Sequence, residues 1–150
     1  MKNNTRALVL GGGGLTGIAW ETGLLIGLQR RGIDLTSAAL IVGTSAGSVV
    51  AAQVAVGAPL ERLYQNQLDA VVSELPGKLG GFDIVRLLVA MLGRDEKKAL
   101  ARVGGYAINA QTPDESVRRA VIEQRLPVHE WPSAALKIAA TDAETGELVV

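Results

Sequence analysis

The stretch Ala39-Leu40-Ile41-Val42-Gly43-Thr44-Ser45-Ala46-Gly47-Ser48-Val49-Val50-Ala51-Ala52-Gln53-Val54-Ala55-Val56 decides the fold. Its first four residues form a short apolar run of the kind that makes a fully buried strand. Gly43 opens a sharp turn, and Ala46 to Val56 is apolar almost all round, as in a helix at the centre of a fold. Between strand and helix lies Gly43-Thr44-Ser45-Ala46-Gly47, a G-x-S-x-G pattern in the context that gives it chemical meaning. A strand turning abruptly into a helix holds the serine strained and its oxygen exposed, while the flanking glycines let helix and strand pack closely. The Ala46 amide would then sit at a helix N-terminus, where the helix dipole favours an oxyanion. This makes Ser45 the candidate nucleophile.

Upstream, Ala7-Leu8-Val9-Leu10 reads as another buried strand, closed by Gly11-Gly12-Gly13-Gly14-Leu15-Thr16-Gly17. A helix is expected from about Gly17 to Arg31, with Ile18, Leu24, Leu25 and Leu28 inward and Gly32 as its stop. The Gly12–Gly17 segment also fits G-x-G-x-x-G, the turn that holds a dinucleotide pyrophosphate. That use requires an acidic residue at the end of the next strand. Asp34 has roughly the spacing but precedes that strand, which ends in Gly43 and the serine turn. The preferred reading is a glycine loop whose amides face the site beside Ser45.

Downstream, Leu60, Leu63, Tyr64, Leu68, Val71, Val72 and Leu75 recur at helical spacing, and residues 76–81 break the pattern. Asp83 is positioned to cap a short helix through Leu92. Thr112-Pro113-Asp114-Glu115 forms a capping box for a helix reaching about Arg125. Leu136 to Ala140 reads as a strand, Thr141 to Gly146 as a turn, and Leu148-Val149-Val150 as the start of a further strand. Strands alternating with helices define an α/β fold, with a mostly parallel sheet flanked by helices. Because the sequence stops inside a β-branched run, the expectation is a single domain over residues 1–150 that is truncated at its C-terminus.

Composition excludes several classes of function. Hydrophobic residues make up 48% of the chain, which is globular rather than disordered. The 15 basic and 15 acidic side chains balance, and without a basic block nucleic acid is not an expected partner. The absence of cysteine removes disulfides and thiolate chemistry, and the single histidine removes a multi-histidine metal site. No run approaches the ~20 apolar residues that span a bilayer. A cytoplasmic protein is the expectation. Residues 84–92, almost wholly apolar around Arg86, could form a cap that contacts a lipid surface peripherally; the plainer reading is a buried helix.

The two glycine motifs together resemble the patatin-like phospholipase family. The Gly12–Gly17 loop after the first strand, the Gly43–Gly47 turn after the second, and their separation of about 30 residues carry the resemblance. Ala139-Ala140-Thr141-Asp142-Ala143-Glu144-Thr145-Gly146 is a further similar segment, whereas residues 57–130 match only loosely. The resemblance implies a patatin-like fold and a lipid acyl hydrolase, either a phospholipase or an esterase. It implies no metal or organic cofactor, and a lipid or other acyl ester as substrate. Ser45 would attack the ester carbonyl in a Ser–Asp dyad. Gly13 and Gly14, with Ala46, would provide oxyanion donors, and Gly12, Gly17, Gly43 and Gly47 are the motif glycines.

Two departures from that pattern stand out. Thr16 occupies a glycine-loop position where many members carry Arg or Lys. The dyad aspartate belongs to an Asp-Gly pair late in the domain, and the chain contains no Asp-Gly pair. Asp142 is a candidate acid in its place, although an aspartate at such a position commonly serves its own turn. Two rivals remain: an α/β-hydrolase-like esterase with His129 as base, and a lipid- or anion-binding module that keeps the site without the base.

Overall fold

The computed structural model describes residues 6–69, 85, 88–92, 95–112 and 114–150. The elements are β1 (Ala7–Leu10), α1 (Gly14–Gln29), β2 (Leu40–Thr44), α2 (Ala46–Ala55), α3 (Leu60–Leu68), α4 (Glu96–Ile108), α5 (Glu115–Arg125), β3 (Leu136–Thr141) and β4 (Leu148–Val149). Strand order is β1-β2-β3-β4. β1 and β3 each run parallel to β2, and β4 pairs antiparallel with β3. The chain is thus α/β with a mostly parallel four-stranded sheet. It divides into two compact units, Met1–Ser73 with Glu115–Ala139, and Glu74–Asp114 with Ala140–Val150.

In the first unit the register explains which side chains are buried. Leu8 pairs with Ile41 and Ile41 with Leu136, while Leu10 pairs with Gly43 and Gly43 with Ile138. Partners in register point to the same face, and residues two apart share it. These six positions therefore form one sheet face, and α2 packs on its β1 and β2 strands. The core joins Leu10, Ile41 and Leu136 to Ile18, Leu25 and Ile26 of α1, Val50, Ala51 and Val54 of α2, and Leu60 and Leu63 of α3. Burying each large aliphatic side chain stabilises by about 1.5–3 kcal/mol.

The opposite face carries Ala7, Val9 and Lys137, all exposed. The expectation of a fully buried β1 is therefore corrected: Val9 is 71% exposed, because only one face of this strand is covered. Helix α1 begins at Gly14, a turn earlier than expected, and gives way at Arg30 to Gly32, whose left-handed φ of 81° ends it. Its buried stripe is Ile18, Glu21, Thr22, Leu25 and Ile26. Those positions follow helical spacing, which puts Leu24 on the neighbouring face, 45% exposed, and leaves Leu28 half-buried. Leu24 was expected inward and is not.

Helix α2 is buried at Ala46, Gly47, Val50, Ala51, Gln53 and Val54, as its apolar sequence requires. Gln53 Nε2 donates to the Arg125 carbonyl at 2.7 Å, so a buried amide on α2 meets one of the terminal carbonyls of α5. Leu60 and Leu63 of α3 are buried but Leu68 is exposed, and the continuation through Val71, Val72 and Leu75 lies outside the described residues.

In the second unit, Asp95 caps α4 by accepting the Lys98 N–H at 3.2 Å. Gly104 lies against the Ala143 backbone and Gly146 against the Lys97 carbonyl, so the α4 backbone and the β3–β4 turn meet where only glycine fits. Of the apolar stretch 84–92, Val85 and residues 88–90 are helical. Ala90 is buried, whereas Val85, Leu88, Val89, Met91 and Leu92 are exposed, contrary to the plainer reading of a buried helix. Arg102 donates from Nε and Nη2 to the Ala90 carbonyl at 3.0 and 2.8 Å, and from Nη2 to that of Leu92 at 3.0 Å. No helix among the described residues is long and apolar enough to cross a membrane.

Candidate active site

Ser45 sits between the last residue of β2 and the first of α2, exposed, with φ 54° and ψ −116°. Among the described residues it is the only non-glycine residue with positive φ. A side chain in that region costs roughly 1–3 kcal/mol, which surrounding structure must impose. The imposing contacts are visible in the glycines on either side. A Cβ on Gly43 would overlap the Gly47 carbonyl and stand 2.7 Å from Ser48 Cα. One on Gly47 would overlap the Leu10 carbonyl and stand 2.7 Å from the Gly11 oxygen. The turn is therefore compressed between β2, α2 and the end of β1, and the serine takes up the strain.

The glycine loop lies directly beside this turn. A Cβ on Gly12 would be 3.7 Å from Ser45 Cβ, and one on Gly17 only 3.1 Å from Ala46 Cβ. The Gly47 N–H donates to the Gly11 carbonyl at 2.8 Å, joining the two motifs through the backbone. Gly14 adopts φ 58°, open to glycine without strain. Thr16, at the departure from the family pattern, turns its hydroxyl back to donate to the Gly13 carbonyl at 3.0 Å. Sequence reading had paired the loop and the serine turn, and the structure brings them together.

Gly14 is the first residue of α1 and Ala46 the first of α2, and neither helix has a side-chain cap. First-turn amides have no acceptor four residues back. In α2 those of Gly47 and Ser48 are taken by the Gly11 and Ser45 carbonyls, which leaves the Ala46 N–H to face an anion, beside the first amides of α1. Neither first turn contains an acidic residue that would neutralise that end. The chemical capacity of the arrangement is an exposed, strained serine hydroxyl next to two uncapped helix N-termini.

The remaining candidates have other partners. Asp142, in the second unit, accepts from the N–H of Glu144 at 3.0 Å, the N–H of Thr145 at 2.8 Å and the Thr145 hydroxyl at 3.0 Å, all on Oδ1. The Thr145 bonds above all, with that of Glu144, hold its carboxyl below the usual aspartate value. His129 is exposed, with Nε2 3.3 Å from the Glu123 carbonyl. Asp34 accepts from the N–H and hydroxyl of Thr36 within its own turn. Among the described residues no cluster of His, Asp or Glu could hold a metal ion.

One residue of the site escaped sequence reading. Glu21 on α1 is 5% exposed, and its Oε1 accepts the Gly11 N–H at 2.8 Å. Burial raises its carboxyl above the usual value, and the bond from Gly11 pulls in the opposite direction. The available signal was its spacing: with Ile18 and Leu25 it occupies one helical stripe at i, i+3 and i+7.

Fold and turn together define an α/β protein with a G-x-S-x-G motif between strand and helix. The patatin-like phospholipase family model matches residues 8–149, and the chain belongs to that family. Comparison with curated proteins finds no match. Among solved structures, the type III effector protein ExoU is similar, with 20% sequence identity and a TM-score of 0.45. The alignment covers 97% of this chain and 35% of that one, so the chain spans about a third of the length of ExoU.

Proposed function

We propose that the chain carries the nucleophile half of a serine lipid acyl hydrolase. The observation that supports this most is the backbone of Ser45, held at φ 54° on the head of α2 against the glycine loop. Family membership supplies the substrate class, a phospholipid or other acyl lipid. The Ser45 Oγ attacks the ester carbonyl as its proton passes to a base. The oxyanion of the tetrahedral intermediate is stabilised by the amides of Ala46, Gly13 and Gly14. Collapse expels the alcohol and leaves an acyl-serine, which water hydrolyses to the free acid and regenerated serine. In the family dyad an aspartate is the base. Asp142 is the acid of this chain on the matching segment, and its engagement in its own turn favours a base supplied by another residue.

That engagement also supports a second reading, in which the 150-residue chain binds acyl lipid without turning it over. In both readings the exposed Val85, Leu88, Val89, Met91 and Leu92 are a surface for peripheral contact with lipid. The test is a fluorophosphonate ester probe followed by mass mapping of the adduct. An adduct on Ser45, absent in Ser45→Ala, establishes an activated serine. Vesicle binding by a folded chain that forms no adduct establishes the binding module instead.

A further inference from the structure

Glu21 poses a problem of polar accounting. It lies in the middle of an apolar helix, 5% exposed, and its Oε2 is buried without a hydrogen-bond partner among the described residues. Buried unpaired carboxyl oxygens are costly, and one that is kept calls for a reason. The reason lies in the backbone of the preceding loop. The β1–β2 ladder ends at the pair Leu10–Gly43, so the chain has left the sheet at Gly11. The Gly11 N–H receives its acceptor from Glu21 Oε1, ten residues on, at 2.8 Å. Helical side chains lean toward the helix N-terminus, so a residue in the second turn of α1 can reach back to the loop that leads into it.

The other side of Gly11 is equally committed, since its carbonyl accepts the Gly47 N–H at 2.8 Å. Gly11 is thus held from α1 through its N–H and from α2 through its carbonyl. The next residue, Gly12, lies beside Ser45, so that a Cβ on it would be 3.7 Å from Ser45 Cβ, and Gly13 and Gly14 follow. We infer that Glu21 is a positioning residue, whose carboxyl oxygen fixes Gly11 and thereby the placement of the glycine loop against Ser45. This rests on the reading of Ser45 as nucleophile for its kinetic consequence, but not for its structural one. Displacement of reacting groups by about 1 Å is enough to lower rates by roughly 100-fold. The burial that raises the Glu21 carboxyl is compatible with either protonation state, because Oε1 accepts from Gly11 in both.

Two variants separate the roles. Glu21→Gln keeps a carbonyl oxygen where Oε1 is, and Glu21→Leu keeps the approximate volume but no acceptor. Each is compared with the wild-type chain for the rate of fluorophosphonate labelling at Ser45 and, by NMR, for hydrogen exchange of the Gly11 and Gly47 amides. The expected result is labelling slowed roughly 10- to 100-fold in Glu21→Leu and largely recovered in Glu21→Gln, with Gly11 protected in the wild type and in Glu21→Gln and unprotected in Glu21→Leu. A folded Glu21→Leu that labels at the wild-type rate overturns the inference, as does Glu21→Gln losing as much as Glu21→Leu. If the wild type does not label, the nucleophile reading fails alone, and the Gly11 amide still decides whether Glu21 holds the loop. If Glu21→Leu does not fold, the wild-type exchange rate decides: protection at Gly11 supports the clamp, and exchange as fast as an open loop removes it.

Discussion

The Gly47 amide donates to the Gly11 carbonyl at 2.8 Å, and this single bond couples the two glycine motifs. It requires α2 to approach the end of β1 so closely that a Cβ on Gly47 would overlap the Leu10 carbonyl. Gly47→Ala must push the helix away, and backbone has little room to yield. The expected cost is roughly 1–3 kcal/mol of stability, read by urea denaturation, with loss of labelling at Ser45. Wild-type stability and labelling in Gly47→Ala would mean that the two motifs are not in contact.

The strain at Ser45 gives a measurement independent of catalysis. Ser45→Ala and Ser45→Gly both remove the hydroxyl, but only glycine relaxes a backbone at φ 54°. Ser45→Gly is expected to be more stable than Ser45→Ala by about 1 kcal/mol or more, even after the greater flexibility of glycine in the unfolded chain is subtracted. Equal stability of the two variants would show that the position is unstrained.

The parts of this site that were legible in the sequence are those where glycine has a steric reason. Gly43 and Gly47 mark close backbone approaches and Gly17 a tight one to Ala46 Cβ, and these bring the loop to the serine turn, where Gly12 lies beside Ser45. The strands and the apolar α2 were legible for a related reason, since a short apolar run between glycines has few alternatives in an α/β chain. What was not legible is which way each side chain faces. Val9 reads as core and is exposed, because sequence does not say that only one face of β1 is covered. Helix α1 is apolar on most sides, so the choice of Ile18, Leu25 and Ile26 over Leu24 depends on where α2 and α3 lie. Glu21 was missed for the same reason: its partner is a backbone amide ten residues earlier, which no side-chain pattern announces.

Gln53 offers a test of how α5 is held. Its buried amide donates to the Arg125 carbonyl at 2.7 Å, at the end of a helix whose other contacts with the core are few: Val121 is its only buried residue. Gln53→Leu is expected to destabilise by about 1 kcal/mol, and hydrogen exchange over residues 115–125 should quicken more than over α2. Uniform exchange changes in both helices would indicate that the bond is not what anchors this end of α5.

Asp142 links turn geometry to pH. Its carboxyl lies below the usual aspartate value because the Thr145 and Glu144 hydrogen bonds favour the charged form. A group depressed on folding stabilises the native state above its unfolded value, near pH 4, and that contribution disappears as pH falls through the lower folded value. The β3–β4 turn is therefore expected to be intact at neutral pH and to loosen in acid. Asp142→Asn, which retains an acceptor without a charge, should lessen the acid dependence, whereas Asp142→Ala should loosen the turn at every pH. The same bonds make this carboxylate a weak base at neutral pH, since a good general base has a value near the working pH. Ser45 labelling is accordingly expected to survive in Asp142→Ala while thermal stability falls. Loss of labelling from an Asp142→Asn chain whose turn and stability are unchanged would reverse that assignment and make Asp142 the partner of Ser45.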